Sequence, residues 1–384
     1  MAYTEARAPG RPFVSYQPLS RIYRLIYISS IVARLPFWVL SFALIRRWRK
    51  HPTWTLKQTL LNRLAKELLH VTSRSEKPER LTLEPGKEKE RFEKIEPFPA
   101  NLYRGPLDED TVKPATIGGT WFPTRPHWNH RETDSTVVLH FHGGAYVIGN
   151  GRSDQLGFLS SRLLKYANVD AVFSPQYRLA CRPDPAPFPA ALQDALTSYL
   201  YLVRTEGISA SNITLSGDSA GGNLVIAFLR YLAEFGAQLD IPPPRNAVLI
   251  SPWVAPVKGL WPEICTTSNP HFRTDYIAHT FLQWGAKEIS RIVPATDPYI
   301  SCLGHPFATP VPMFVNIGAA EILEIDDTQW VREMGRVEGN VVEVNYEAAA
   351  PHDTLLLGAV LGWEKSAQGV AELIGVFIRK NSRE

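Results

Sequence analysis

The chain has 384 residues, 45% of them hydrophobic, and a formal net charge of only +3. This is enough apolar sequence for one large core, and the small charge excludes the strongly basic composition of nucleic-acid-binding proteins. Three widely spaced cysteines (Cys181, Cys265 and Cys302) supply neither a disulfide framework nor metal-ligand spacing, and no glycine-rich nucleotide motif follows a strand, so no metal or other cofactor is indicated.

The first 95 residues differ in character from the rest of the chain. Residues 25–45 form an apolar stretch interrupted by Arg34 and Pro36, and their number is close to that of a membrane span. Their Leu, Ile, Val and Phe side chains favour insertion by about 5 kcal/mol, whereas the central arginine opposes it by about 3 kcal/mol. The stretch therefore fits a spanning helix, a helix lying on a membrane, or a helix of a cap.

A second helix is predicted from His51 to Leu69, where Trp54 and several leucines recur at helical intervals. We expect residues 1–95 to form a helical segment that contributes to a cap or to membrane association, and 96–384 to form the main domain. No small-residue cleavage site follows the apolar stretch, which favours an intracellular protein, either cytoplasmic or membrane-associated.

The first chemical motif follows a predicted buried strand, Thr136 to Phe141. The strand leads into His142-Gly143-Gly144, where the glycines leave backbone N–H groups uncovered. Acyl transfer needs such donors roughly 3 Å from the oxygen that becomes an oxyanion. We therefore predict Gly143 and Gly144 as donors; the alternative is a glycine turn that simply closes the strand.

The second motif is the run from Gly217 to Gly222, which reads Gly-Asp-Ser-Ala-Gly-Gly. It lies between a predicted strand, 212–216, and a predicted helix, 223–231, and this is the context of a nucleophile elbow. Ser219 is then the candidate nucleophile, and the amide of Ala220 a third oxyanion donor. We expect the neighbouring Asp218 to point away from the cleft in a structural role. An ordinary strand-to-helix turn is the alternative.

Strand and helix patterns alternate from about Lys113 onward, which predicts a mostly parallel sheet covered by helices on both faces. Further strands are expected at 169–173 and 247–250, and a helix at 190–203. The alternation breaks between 254 and 309, where aromatics and prolines are frequent. We predict a cap insertion there; the alternative is that these aromatics bury an edge of the core.

The acid of a catalytic triad is expected after the next strand, 312–317. Glu321, Glu324, Asp326 and Asp327 all follow it within a few residues. We favour Glu321, the first after the strand, with Asp326 as the alternative; the role of either is to orient and stabilise an imidazolium.

In proteins that carry a nucleophile elbow on a parallel sheet, the nucleophile, the acid and the histidine follow one another in that order along the chain. Of the ten histidines, only His352 lies beyond the acid segment. It follows a strand-like stretch, 340–346, and is the predicted base. The alternative is a surface histidine without a catalytic role.

Together these motifs resemble the hormone-sensitive-lipase-like esterases, also called the alpha/beta hydrolase fold-3 family, over roughly residues 95 to 384. Further agreement comes from Tyr177-Arg178-Leu179-Ala180, Pro187-Phe188-Pro189-Ala190-Ala191, Ser251-Pro252-Trp253 and Pro351-His352-Asp353. The resemblance implies an alpha/beta hydrolase fold with a mostly parallel central sheet flanked by helices and a helical cap. It also implies a Ser219, Glu321 and His352 triad. The sequence departs from the family at Ala145, where many relatives have a third glycine, and in an acid segment that is one residue longer.

The expected function is that of a serine carboxylesterase or lipase-like hydrolase. Its substrate would be a carboxylic ester of a small or medium apolar group, cleaved through an acyl-enzyme without a cofactor. Two alternatives remain: acyl transfer or another biosynthetic step on the same triad, and ligand binding on a hydrolase scaffold. The second occurs in plant gibberellin receptors, which this family also resembles; those lack the catalytic histidine, whereas His352 is present here.

Overall fold

The fold is built on one sheet of eight strands in the described residues, which are 10–77, 79–126, 135–261 and 269–381 of a computed structural model. The strands are β1 (Phe92–Ile95), β2 (Ile117–Phe122), β3 (Val137–Phe141), β4 (Ala171–Gln176), β5 (Ile213–Asp218), β6 (Asn246–Ile250), β7 (Met313–Gly318) and β8 (Val342–Glu347). Their order across the sheet is β1-β2-β4-β3-β5-β6-β7-β8.

The sheet is mostly parallel, as the alternating pattern predicts. Strands β3 to β8 all run in one direction, whereas β2 pairs antiparallel with both β1 and β4. The inner strands β3, β5 and β6 are buried throughout, and short apolar runs are typical of parallel strands covered on both faces. The antiparallel edge formed by β1 and β2 was not predicted.

Helices cover both faces of the sheet. They are α1 (Leu19–Leu44), α2 (Leu56–Arg74), α3 (Ser153–Arg162), α4 (Ala190–Leu200), α5 (Ala220–Tyr231), α6 (Pro256–Gly259), α7 (His279–Ile289), α8 (Glu324–Gly335), α9 (Thr354–Leu361) and α10 (Glu364–Lys380).

Alternate residues of the central strands belong to two separate hydrophobic clusters. Leu139 and Leu249 pack in a cluster with residues of α4, α5 and α8. Val138 and Val248, one position earlier in each strand, pack with residues of α3 and α10. Because successive strand residues point to opposite faces, the two clusters lie on opposite sides of the sheet.

The N-terminal helices pack as a pair against the rest of the chain. Helix α2 begins with a capping box formed by Thr55 and Gln58. Farther along α2, the Asn62 side chain donates to the Thr274 carbonyl at 3.1 Å, and Lys66 Nζ donates to the Phe272 carbonyl at 2.7 Å. Helix α2 therefore contacts the segment for which a cap insertion was predicted, and α6 and α7 lie in that segment. The division into a cap and a main domain stays a prediction.

Trp54 joins the N-terminal segment to the C-terminal part of the chain. Its side chain is buried, and its indole N–H donates to the Ala349 carbonyl at 2.7 Å. The ring also meets Trp363 edge to face, with centroids 5.0 Å apart. The loop that carries His352 is therefore supported by Trp54, which lies almost three hundred positions earlier in the sequence.

Helix α1 occupies most of the predicted apolar stretch, and among the described residues it is the one helix long and apolar enough to cross a membrane. Cys181 and Cys302 are buried free thiols, and Cys265 lies outside the described residues.

We predict that Gly221→Ala destabilises the protein. A Cβ at Gly221 would lie 1.9 Å from the Phe141 carbonyl oxygen, so β3 and α5 would have to move apart. Overpacking of this kind costs about 1–3 kcal/mol of unfolding free energy, measurable by urea denaturation.

The matched control is Gly369→Ala in α10, where a Cβ meets nothing within 4 Å. Alanine is the better helix former, so this change should stabilise the protein by up to about 1 kcal/mol. Equal effects of the two substitutions would contradict the close approach at Gly221.

Candidate active site

Ser219 lies at a sharp turn between β5 and α5. Its φ and ψ are 52° and −116°, a conformation that a residue with a side chain adopts only when its surroundings hold it there. Two backbone hydrogen bonds of 2.9 Å hold Ser219 in this conformation. The Ser219 amide donates to the Ile250 carbonyl, and the Trp253 amide donates to the Ser219 carbonyl. The elbow is thereby pinned to the end of the neighbouring strand β6.

A cavity of about 490 Å³ contains both Ser219 and His352 in its lining. Most of the surrounding side chains are apolar. They come from α2, the loop after β3, α3, the loop before α7, α7 itself and α9, and include Leu69, Ile148, Phe158, Ile277, Phe281, Leu357 and Val360. A mainly apolar cleft with a few converging polar groups is typical of a small-molecule site.

Glu321 is hydrogen-bonded to His352. The distance from His352 Nδ1 to Glu321 Oε2 is 2.8 Å, and both side chains are buried. The other carboxyl oxygen of Glu321 accepts the Gly318 amide at 3.0 Å, which fixes the orientation of the carboxylate. A carboxylate at Nδ1 leaves Nε2 as the ring nitrogen available for proton transfer.

The other three acids of this segment have different surroundings. Asp326 pairs with Lys258, and Glu324 accepts the Thr328 hydroxyl at 3.1 Å. Asp327 is fully buried, neither of its carboxyl oxygens has a hydrogen-bond partner among the described residues, and burial raises its pKa well above the ordinary value. The geometry therefore favours Glu321 over Asp326, the alternative left open by the sequence.

The environment of His352 favours its charged form. Burial alone would lower the pKa of the imidazole, but the hydrogen bond and charge of Glu321, together with the charges of Asp275 and Asp353, outweigh burial and raise the pKa of His352 to about 9. An imidazolium formed during proton transfer would be stabilised by the same groups.

The glycine loop after β3 differs from expectation at its first residue. The Gly143 amide donates to Asp218 Oδ1 at 2.9 Å, so it is not free to bind an oxyanion. This pairing favours the other two predicted donors over Gly143. Gly144 has a φ of 110°, and Ala220 opens helix α5, whose first amides have no partner within the helix. These two amides remain the candidates.

Asp218 does not point away from the cleft, contrary to expectation. It lies in the cavity lining, accepts the Gly143 amide, and lies 3.1 Å from His140 Nε2. The carboxyl group of Asp353 also faces it. Burial is the largest cause of the shifts in both acids: it raises the pKa of Asp218 to about 6, and burial with the neighbouring Asp218 charge raises the pKa of Asp353 well above its ordinary value. The two acids are therefore expected to share one proton.

Sequence reasoning missed the positioning roles of His140 and Asp353. Asp353 accepts the Leu356 amide at 3.1 Å and caps α9, so the residue beside His352 fixes both that helix and its link to Asp218. His140 lies opposite Ser216 in the β3–β5 register, and its buried ring has a pKa lowered by burial to about 3. A histidine alternating with apolar residues in a buried strand was the available signal.

Within the described ranges, no group of three or more His, Cys, Asp or Glu side chains is arranged to hold a metal ion. The groups gathered here are those of acid–base and nucleophilic chemistry: a hydroxyl at an elbow, an imidazole hydrogen-bonded to a carboxylate, and the backbone amides of Gly144 and Ala220.

Comparison with known proteins shows the family and the fold of the chain. A sequence model of the alpha/beta hydrolase fold matches residues 138–356, more than half of the chain. An acetyl-hydrolase of Streptomyces hygroscopicus is 33% identical over 201 residues, which cover 50% of this chain and 60% of that protein. The chain thus spans less than two thirds of the length of this relative.

An ethyl acetate hydrolase of Pseudomonas putida is 27% identical over 72% of this chain and 77% of its own length. Among solved structures, an esterase from the bacterial hormone-sensitive lipase family superimposes with a TM-score of 0.58 and 23% identity, over 92% of this chain and 98% of the other. The chain belongs to the alpha/beta hydrolase fold family, in the hormone-sensitive-lipase-like group that its motifs resemble.

Proposed function

We propose that the protein is a serine carboxylic ester hydrolase with Ser219 as nucleophile, His352 as general base and Glu321 as the acid that orients the base. The observation that carries the proposal is the 2.8 Å bond between buried Glu321 and His352 beside a cavity that also contains Ser219. Hydrolases and esterases among the relatives support the same reaction class.

In the first half of the reaction, the Ser219 hydroxyl attacks the ester carbonyl carbon as its proton passes to His352 Nε2. The amides of Gly144 and Ala220 stabilise the oxyanion that forms. The tetrahedral intermediate then collapses: the carbon–oxygen bond to the alcohol breaks, and the imidazolium returns the proton to that oxygen. Water repeats the sequence on the acyl-enzyme, which releases the carboxylic acid and restores Ser219.

The cavity indicates the substrate class. Its apolar lining, contributed by residues such as Phe158, Phe281 and Leu357, favours an uncharged ester with a small or medium apolar group. Acidic residues at its edge, Glu79 and Asp154, disfavour anionic substrates. The acetyl-hydrolase and ethyl acetate hydrolase relatives are consistent with a short acyl group.

We predict that Ser219→Ala lowers kcat for a short aryl ester by roughly a millionfold, because the nucleophile is removed while binding remains. The unchanged protein should form a fluorophosphonate adduct at Ser219, identified by peptide mass mapping, and the variant should not. Ser211→Ala, which changes an exposed serine, is the control. Turnover and labelling that survive in folded Ser219→Ala would remove this residue from the reaction. If the unchanged protein neither turns over esters nor forms the adduct, a ligand-binding role becomes the better account.

We predict that Glu321→Gln lowers kcat by roughly a thousandfold or more, since the amide can neither fix the required tautomer nor stabilise the imidazolium. Asp326→Asn is the matched comparison: it removes a partly exposed ion pair with Lys258, so kcat should change by less than about threefold. The reverse ranking would assign the acid to Asp326.

The raised pKa of His352 predicts that kcat/KM increases with pH into the alkaline range. A general base must be neutral, so below its pKa kcat/KM should increase about tenfold per pH unit and should reach half its plateau near pH about 9. Glu321→Gln removes the main group that raises this pKa, so in this variant the increase should occur at lower pH. The profiles are measured with a soluble ester whose own ionisation does not change in this range. An identical pH profile in both proteins would exclude the Glu321–His352 contact as its cause.

A further inference from the structure

Helix α1 has an inner face that is fixed to α2. Ile31 and Trp38 are buried on this face, and the Tyr27 hydroxyl donates to Glu67 of α2 at 2.6 Å. Arg34, which interrupts the apolar sequence, also reaches Glu67, at 3.4 Å. The central arginine is therefore paired with a carboxylate of α2, a residue that also pairs with Arg63.

The opposite face of α1 is apolar and uncovered. Leu25 is 70% exposed, Phe37 63% and Leu44 79%. With them lie Ile22, Ile26, Ile28, Val32, Val39 and Leu40, all exposed and spaced so that they share one broad side of the helix. We call these nine residues the outer face. An apolar surface of this extent marks a site of interaction with a partner or a membrane.

The charges around the outer face have one sign. Every charged residue from position 10 to 50 is an arginine or a lysine, although the whole chain is almost balanced. Arg21 and Arg24 lie at the start of α1, and Arg46 and Arg47 follow its end. Neither Arg46 nor Arg47 forms an ion pair with another described residue. Cations of this kind attract the anionic headgroups of a membrane.

Aromatic side chains complete the pattern at both ends of the helix. Phe13 and Tyr16 precede α1, Trp48 follows it, and all three are exposed. Aromatic rings and basic residues prefer the headgroup level, and aliphatic residues prefer the hydrocarbon beneath it. This composition fits a lipid surface better than a protein partner.

We propose that α1 lies in the plane of an anionic membrane, with its outer face inserted at the boundary between headgroups and acyl chains. A spanning orientation is disfavoured because the middle of α1, from Tyr27 to Trp38, is held by polar and ring contacts to α2. To cross the bilayer, α1 would have to carry Arg63 and Glu67 into hydrocarbon or break its contacts with them. The inference does not depend on the reaction catalysed in the cavity.

The test is co-sedimentation of the full chain with vesicles of phosphatidylcholine alone and of phosphatidylcholine mixed with phosphatidylglycerol. Leu25→Glu combined with Leu40→Glu places two charges on the outer face and should lower the partition coefficient by roughly a hundredfold. Arg46→Gln with Arg47→Gln should lower it by roughly tenfold on the anionic vesicles, with little change on the neutral ones.

The matched control is Leu373→Glu combined with Val376→Glu, which makes the same kind of change at two exposed positions of α10. It should bind vesicles within about twofold of the unchanged protein. Thermal unfolding and turnover of a soluble ester check that each variant is folded, so a failure to bind membranes is distinguished from a failure of the proposed chemistry.

Four results would overturn the proposal. The unchanged protein could fail to sediment with either vesicle, or the outer-face variant could bind as well as the control. Light scattering could instead show a dimer that the outer-face variant dissociates, with no vesicle binding, which would assign the surface to a second copy of the chain. Resistance of membrane-bound protein to alkaline carbonate extraction would indicate a spanning helix.

Discussion

The parallel register of the sheet is the constraint on which the site depends. Because β3, β5, β6, β7 and β8 run in one direction, the loops that follow them emerge at the same edge. Those loops carry the glycine turn, Ser219, Ser251, Glu321 and His352. Residues more than two hundred positions apart therefore meet without any long excursion of the chain, and the sheet supplies the rigidity that the elbow requires.

The tight packing of the turn at Ser219 also determines which charged groups surround His352. A Cβ on Gly221 would collide with the Phe141 carbonyl oxygen, so the elbow lies close to the end of β3, and the Gly143 amide just after β3 donates to Asp218. Asp218 and Asp353, the neighbour of His352, face each other, and burial raises the pKa of both acids, so the Ser219 turn and the His352 loop are joined through a pair of buried carboxyl groups. The negative charge around His352 is balanced when the imidazole is protonated, which is why its pKa is raised and not lowered by burial.

The sequence predicted the fold class and brought Ser219, Glu321 and His352 forward as candidates, because each follows a strand whose apolar run is recognisable. The sequence did not predict features that depend on contacts between separate strands and loops. Gly143 looks like a free amide in the sequence, and only the rotamer of Asp218 shows that it is occupied. Strands β1 and β2 were missed because their glycines and charged residues do not form a clear apolar run. The preference for Glu321 over Asp326 rests on the hydrogen bond between Glu321 and His352, which joins two separate segments of the chain and is not visible in the sequence.

The contact between Trp54 and Ala349 links the N-terminal segment, which carries the outer face of α1, to the loop of His352. The indole supports the backbone three residues before His352, while α2, which starts just after Trp54, holds α1 on its outer side. The N-terminal segment is therefore part of the support of the site. A chain without it, trimmed to the recognisable hydrolase motifs, would lose the hydrogen bond from Trp54 to the loop that carries His352. The segment that carries the outer face therefore also contributes to the position of the His352 loop.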